Sequence, residues 1–210
     1  MDIKFFIRTT GERVLHPSIE RELGSNYTLL VDKEHKPVES FIEQLKIISE
    51  YDAVLLEDDV ILCKDFVNEI KKAVEKYPKV IINFFDSPNE YYTTHYITHA
   101  FCYNQCTFYP KGVSGKLVEP MTRLRQPYNQ YDTLVNKAIQ DLGLVYVRYR
   151  PTLVQHIDYS TLIQKQNWPR RTIYFKDYLD ELGISIEEAW IKENKDKLTN
   201  LLFEQFNEKH

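Results

Sequence analysis

The sequence predicts an α/β protein built on a mostly parallel sheet flanked by helices, and three observations carry that expectation. Short apolar runs alternate with amphipathic stretches through the first 86 residues, in the order β-α-β-α-β-α-β. The runs are almost continuously apolar, which suits strands buried on both faces beneath helices. After residue 86, β-branched and aromatic residues mix with turn formers, which suits a smaller antiparallel portion.

The elements follow in order. "IKFFIR" (3–8) is the first predicted strand, left through the polar turn "TTGER". "HPSIEREL" (16–23) is a short helix with Pro17 and Ser18 near its start and Gly24 just past its end. "YTLLVD" (27–32) is a second strand. The helix "PVESFIEQLKIISEY" opens at Pro37 and spaces its apolar residues at 38, 41, 42, 45, 47 and 48. "AVLLED" (53–58) is the third strand, "KDFVNEIKKAVEKY" (64–77) a helix stopped by Pro78, and "KVIINFFD" (79–86) the fourth strand. "YPKGVSGKLVE" (109–119) lacks the spacing of a phosphate-binding P-loop and reads as a hairpin beside the site. "YNQYDTLVNKAIQDLG" (128–143) is a helix, and "LVYVRYRPTLVQHID" (144–158) a strand, a proline and a return loop. "SIEEAW" (185–190) carries a capping box and opens a polar helix expected to pack on the outside.

Length and composition are those of a globular protein with one large domain or two small ones. No apolar run approaches the roughly 20 residues that span a bilayer. The start "MDIKFFIRTT" carries an early acid and does not read as a signal peptide. Three cysteines make no disulfide framework, so a reducing cytoplasm is the expected setting, without a membrane partner. Charge is uneven. Residues 1–110 hold 12 Lys/Arg against 18 Asp/Glu, 111–176 hold 11 against 4, and 177–210 hold 4 against 9. The middle stretch either meets a polyanion or phosphate-bearing ligand, or is scattered over the folded surface.

The chemistry concentrates in "YDAVLLEDDVIL", where Glu57, Asp58 and Asp59 end an apolar strand. Adjacent carboxylates repel, and burial raises the cost of keeping them charged. A hard divalent cation relieves both and keeps positions for substrate phosphates. In an extended chain Glu57 and Asp59 would point to one side and Asp58 to the other. The alternative is a solvated turn, or a cap for the helix beginning near residue 64. His156, at the end of another apolar run, can add a neutral nitrogen ligand or be a structural histidine. His95, His99, Cys102 and Cys106 are spaced too widely along one helix for a zinc site and split across both faces of a strand, so that only a tight turn near Asn104, with no glycine to help, could gather them. Cys102 and Cys106 read as small buried thiols.

"LLEDDV" after this β-α-β-α-β start resembles the acidic DxD metal motif of nucleotide-sugar glycosyltransferases with the GT-A fold, a Rossmann-like architecture. "PTLVQHIDYST" resembles the late "VQH(I/V)G…S" segment of some of them, including the N-acetylglucosaminyltransferase IV-like group. The resemblance covers roughly residues 1–165 and implies one GT-A-like catalytic domain over 1–176, with a nucleotide-sugar half at 1–110, an acceptor half at 111–176 and a helical extension at 177–210. It departs from the pattern at Glu57, where the motif has Asp, and at Asp158, where the late segment has Gly. It implies that Asp59 binds the metal, Mn²⁺ or Mg²⁺, with Glu57 or Asp58 assisting and His156 completing the protein ligands. It also implies a nucleotide-sugar pocket, for a UDP-sugar, lined by Thr9, Thr10, Arg13, Asp32 and Asp58. Asp132, at the start of a predicted helix, would be the acceptor-side base of an inverting transferase; its alternative is an acid favoured by the helix dipole. Arg123, Arg125, Arg170 and Arg171 lie among aromatics in "RLRQPYNQY" and "NWPRR", which suits phosphate contact and base stacking. They keep open an acceptor that is a hydroxymethylated DNA base, as in phage-type DNA glycosyltransferases. A metal-dependent nuclease or phosphotransferase, and a non-enzymatic nucleic-acid-binding module, are the alternative functions.

Overall fold

The computed structural model describes residues 2–85, 96–98, 104–125, 130–157, 172 and 174–192, with backbone alone at 96–98. In chain order the elements are β1 (Ile3–Thr9), α1 (Pro17–Leu23), β2 (Tyr27–Val31), α2 (Pro37–Ile48), β3 (Asp52–Glu57), β4 (Val60–Leu62) and α3 (Phe66–Lys76). There follow β5 (Ile81–Asn83), β6 (Tyr96–Thr98), β7 (Cys106–Tyr109), α4 (Val113–Leu124), α5 (Tyr131–Asp141), β8 (Tyr146–Arg148), β9 (Val154–His156) and α6 (Lys176–Leu182).

Seven strands form one sheet in the order β2-β1-β3-β7-β5-β8-β6. β1 pairs in parallel with β2 and β3, and β5 with β8, whereas β7 and β6 run against their neighbours. This is the expected α/β, Rossmann-like class, and both reversed strands follow residue 86. The period of two along each strand builds a core on each face. Val54 and Leu56 of β3 join Ile19, Leu23, Phe66 and Ile70 of α1 and α3 on one side. Ala53 and Leu55 join Phe41, Leu45, Leu117, Met121 and Leu134 of α2, α4 and α5 on the other. Because β1, β2 and β3 are parallel, Thr9, Val31 and Glu57 end together at one edge.

Three sequence readings are corrected or extended. The run "VIL" after the acid triplet forms β4, which pairs antiparallel with β9 as a separate two-stranded sheet. The predicted hairpin at 109–119 is instead the start of α4. Gly112 adopts φ +78° ahead of the first turn, and its N–H bonds Ser49 O at 2.8 Å. Gly115 lies within the helix, where a Cβ would come 2.5 Å from Ser49 Oγ. Glycine there serves close helix packing, which a local reading mistakes for a turn. The fourth strand shortens to 81–83.

The capping box at Ser185 is made. Ser185 N–H donates to Glu188 Oε2 at 2.7 Å, and Glu188 N–H to Ser185 Oγ at 3.1 Å. α6 runs across the boundary expected near residue 176, and Asp177 accepts the Lys64 N–H at 2.9 Å. Cys106 is buried in β7, while His95, His99 and Cys102 lie outside the described residues. Among the described residues no helix is long and apolar enough to cross a membrane.

Replacing Gly115 by valine should force α4 away from Ser49 and destabilise the fold by about 1–3 kcal/mol. Urea unfolding would show a lower midpoint with unchanged slope, and an unaltered midpoint would mean that α4 yields there without strain.

Candidate functional site

β3 delivers the acids, but its alternation stops at Glu57, because Asp58 and Asp59 form the turn into β4. The expected sides are therefore corrected: Asp58 and Asp59 share a partner and Glu57 turns elsewhere. Arg13 Nη1 lies 3.1 Å from Asp58 Oδ1 and 2.6 Å from Asp59 Oδ2. Thr9 Oγ1 donates to Asp58 Oδ2 at 2.5 Å and accepts the Gly11 N–H at 2.9 Å. Asp58 and Asp59 are each 7% exposed, so a solvated acid turn is ruled out. Nor do they cap a helix, because Asp65 holds the position before α3.

The β4–β9 ladder pairs Val60 with His156, and Asp59 O accepts the Ile157 N–H at 2.8 Å. Those backbone bonds bring His156 Nε2 to 3.4 Å from Asp59 Oδ2. Asp59 Oδ1 is buried with no hydrogen-bond partner among the described residues. Burial opposes the Asp59 ion, but His156 and Arg13 outweigh it and hold its carboxyl below the usual range.

Glu57 belongs to a second buried group. Its Oε1 accepts from the Tyr131 hydroxyl and lies 3.3 Å from Arg8 Nη1, while Arg8 Nε donates to Gln44 Oε1 at 3.2 Å. The Arg8 guanidinium sits 4.2 Å from the Tyr131 ring centre and 4.8 Å from that of Phe41, in cation–π contact with both. Burial and the nearby Asp59 charge push the Glu57 carboxyl upward. Asp132, in the first turn of α5, follows Tyr131 in sequence, and its charge acts on Arg8, Tyr131 and Tyr109. Arg8 and Tyr131 escaped the sequence reading. The signal for Arg8 was present, since it too is a charge ending an apolar strand.

The remaining expected residues divide. Thr10 flanks Thr9, with Oγ1 buried and unpartnered among the described residues. Asp32 follows β2 directly, with its N–H donated to the Thr9 carbonyl at 2.8 Å and its side chain accepting the Lys36 N–H at 3.2 Å. Arg123 pairs with Glu119 and Asp141 on the surface, and Arg125 with Glu39. Arg170 and Arg171 lie outside the described residues. Arg148 and Arg150 are buried, at 2% and 1% exposure, so the basic excess of 111–176 overstates the exposed charge.

No family model matches the chain, and no curated protein matches it. Among solved structures 39 chains match. One is A197 from STIV, 14% identical, with a TM-score of 0.51 over 76% of this chain and 87% of that one. That likeness shows a shared fold.

Arg8→Met would leave Glu57 buried beside Asp59 without its cation, and should cost about 3–5 kcal/mol by chemical denaturation. Arg8→Met with Glu57→Leu should recover most of it; a single-variant loss below about 1 kcal/mol would show the pair to be dispensable. The lowered Asp59 value makes its stabilisation fully present above the ordinary carboxylate pKa of about 3.9, and lost as pH falls through the folded-state value. Stability measured against pH should therefore lose part of its acid limb in Asp59→Asn.

Proposed function

We propose that the protein is a glycosyltransferase that moves a sugar from a nucleotide sugar, a UDP-sugar, to an acceptor hydroxyl with inversion. One observation carries this reading: residues 97 positions apart in sequence, Asp59 and His156, are brought to 3.4 Å by the β4–β9 ladder, at the strand edge that also holds Thr9 and Arg13. Nothing in core packing requires a carboxylate and an imidazole to meet there. The Rossmann-like fold supports the reading, because such sheets bind ligands at the carboxyl ends of their strands.

The donor set fits a divalent cation, Mn²⁺ or Mg²⁺. Asp59 offers a buried oxygen with no other partner among the described residues, and His156 offers nitrogen. Among the described residues no three His, Cys, Asp or Glu side chains form a finished cage. Two protein ligands leave positions for phosphate oxygens and water. The cation would stabilise the charge that develops on the leaving diphosphate. Thr9 fixes Asp58 so that the turn carrying Asp59 keeps its shape, and Glu57, held by Arg8 and Tyr131, braces the end of β3. Asp132 accepts the proton of the attacking hydroxyl. Attack opposite the diphosphate then inverts the anomeric centre.

The test is the thermal unfolding midpoint with UDP, with Mn²⁺, with both, and with both on Asp59→Asn. A ligand at ~100 times its Kd stabilises by about 2.7 kcal/mol, a shift of a few degrees for a chain of this size. The pair should shift the wild type well beyond either ligand alone, and Asp59→Asn should abolish the effect. No shift with the pair would overturn the reading. Release of UDP from a UDP-sugar without cleavage of DNA separates a transferase from a nuclease, and hydroxymethylated DNA belongs among the first acceptors assayed.

A further inference from the structure

We propose that Arg13 competes with a divalent cation for Asp59, and that a nucleoside diphosphate relieves the competition by giving the guanidinium a new anionic partner. The inference rests on the metal-and-diphosphate reading above and adds to it a device that couples the two ligands.

The geometry sets up the competition. One guanidinium nitrogen, Nη1, contacts both Asp58 and Asp59, at 3.1 and 2.6 Å. The shorter contact uses Asp59 Oδ2, the oxygen that also lies 3.4 Å from His156 Nε2. A cation drawn to Asp59 and His156 therefore meets Arg13 already seated on the same carboxylate, and the two positive charges repel whichever of its oxygens the cation takes. The side chain of Arg13 is 17% exposed, against 9% and 10% for Asp58 and Asp59, so it forms the outer side of the group.

The backbone lets Arg13 leave. Among the described residues no backbone–backbone hydrogen bond ties residues 11–15 to the rest of the chain. Gly11 carries φ +81°, and the loop is held by the Gly11 N–H on Thr9 Oγ1, an exposed Glu12–His35 contact at 3.4 Å, Leu15 packed on the α1–α3 core two residues further on, and Arg13 itself. Asp58 does not depend on Arg13 alone, because Thr9 donates to its other oxygen. Charge favours the exchange as well. A divalent cation and the two negative charges of a nucleotide-sugar diphosphate together add no net charge, so Arg13 can pass from carboxylate to phosphate without leaving a charge unbalanced. Guanidinium suits both partners, since its planar fork binds carboxylate and phosphate alike.

The consequence is a pair of opposite effects, measurable by titration of Mn²⁺ alone and of Mn²⁺ with saturating UDP, reading free Mn²⁺ by electron paramagnetic resonance. Arg13→Gln should bind Mn²⁺ alone roughly tenfold more tightly than wild type, the equivalent of one charged contact removed. The factor by which UDP strengthens Mn²⁺ binding should fall by a similar, roughly tenfold amount, because that factor is a reciprocal coupling. Arg13→Lys keeps the charge but not the fork, and should bind Mn²⁺ alone with an affinity between the two. Unchanged or weaker binding of Mn²⁺ alone by both variants would overturn the proposal. Asp59→Asn separates this failure from that of the parent reading: if it binds Mn²⁺ as well as wild type, the metal is not held at Asp59, whatever Arg13 does.

Discussion

Three carboxylates side by side at a nearly closed strand end impose the constraint on which the surrounding structure depends. None can stay charged in so little water without a cation or donors close by. The chain meets this demand from two directions. Arg8, Tyr131 and Gln44 gather around Glu57 on the α2 and α5 face, whereas Arg13, Thr9 and His156 gather around Asp58 and Asp59. Arg8 and Thr9 come from β1, whose position the parallel sheet determines, whereas His156 arrives on β9 of the second sheet and Arg13 from the loop after β1. Arg8 faces Glu57 because β1 and β3 are in parallel register there, and Thr9, one residue on, reaches Asp58. The carboxylates thus organise side chains without organising the fold, which rests on the two apolar cores.

Much of this was legible in the sequence. The alternating apolar runs foretold β1, β2, β3 and the helices between them, with β1 and β3 largely buried and β2 an apolar edge strand that leaves Leu29 and Val31 exposed. Glu57, Asp58, Asp59 and His156 were recognisable as charged or ligating groups at the ends of apolar runs, whereas Thr9 and Arg13 entered through the family resemblance. What was hidden depended on long-range pairing. "VIL" at 60–62 is too short to announce a strand and becomes one because β9 lies beside it. Gly115 read as a turn because close approach to Ser49 leaves no local trace. The roles of Arg148 and Arg150 could not be read from composition, since burial turns a basic excess into interior structure.

The separation of fold from chemistry also explains the pattern of likeness. A TM-score of 0.51 at 14% identity is what a shared sheet with different side chains produces. Apolar positions tolerate wholesale exchange so long as volume and period are kept. The acid turn and its partners have no such freedom, so their arrangement in this chain, and not the sheet, bears on what the protein does.

The two arginines show how one electrostatic need can receive two physical answers. Arg8 lies within a strand paired on both sides, opposite Leu30 and Glu57, and its guanidinium sits against the rings of Phe41 and Tyr131. Moving it would break a ladder and expose a cation–π contact, so its charge is a fixed part of the fold. Arg13 neutralises its neighbours with shorter contacts, at 3.1 and 2.6 Å against 3.3 Å, but from a loop that no backbone ladder holds among the described residues. Its charge is fixed only by the carboxylates it touches, and any ligand that offers better terms to both sides can displace it. Fixed and displaceable compensation in adjacent positions lets Glu57 hold the end of β3 while the Asp58–Asp59 turn beside it changes partners.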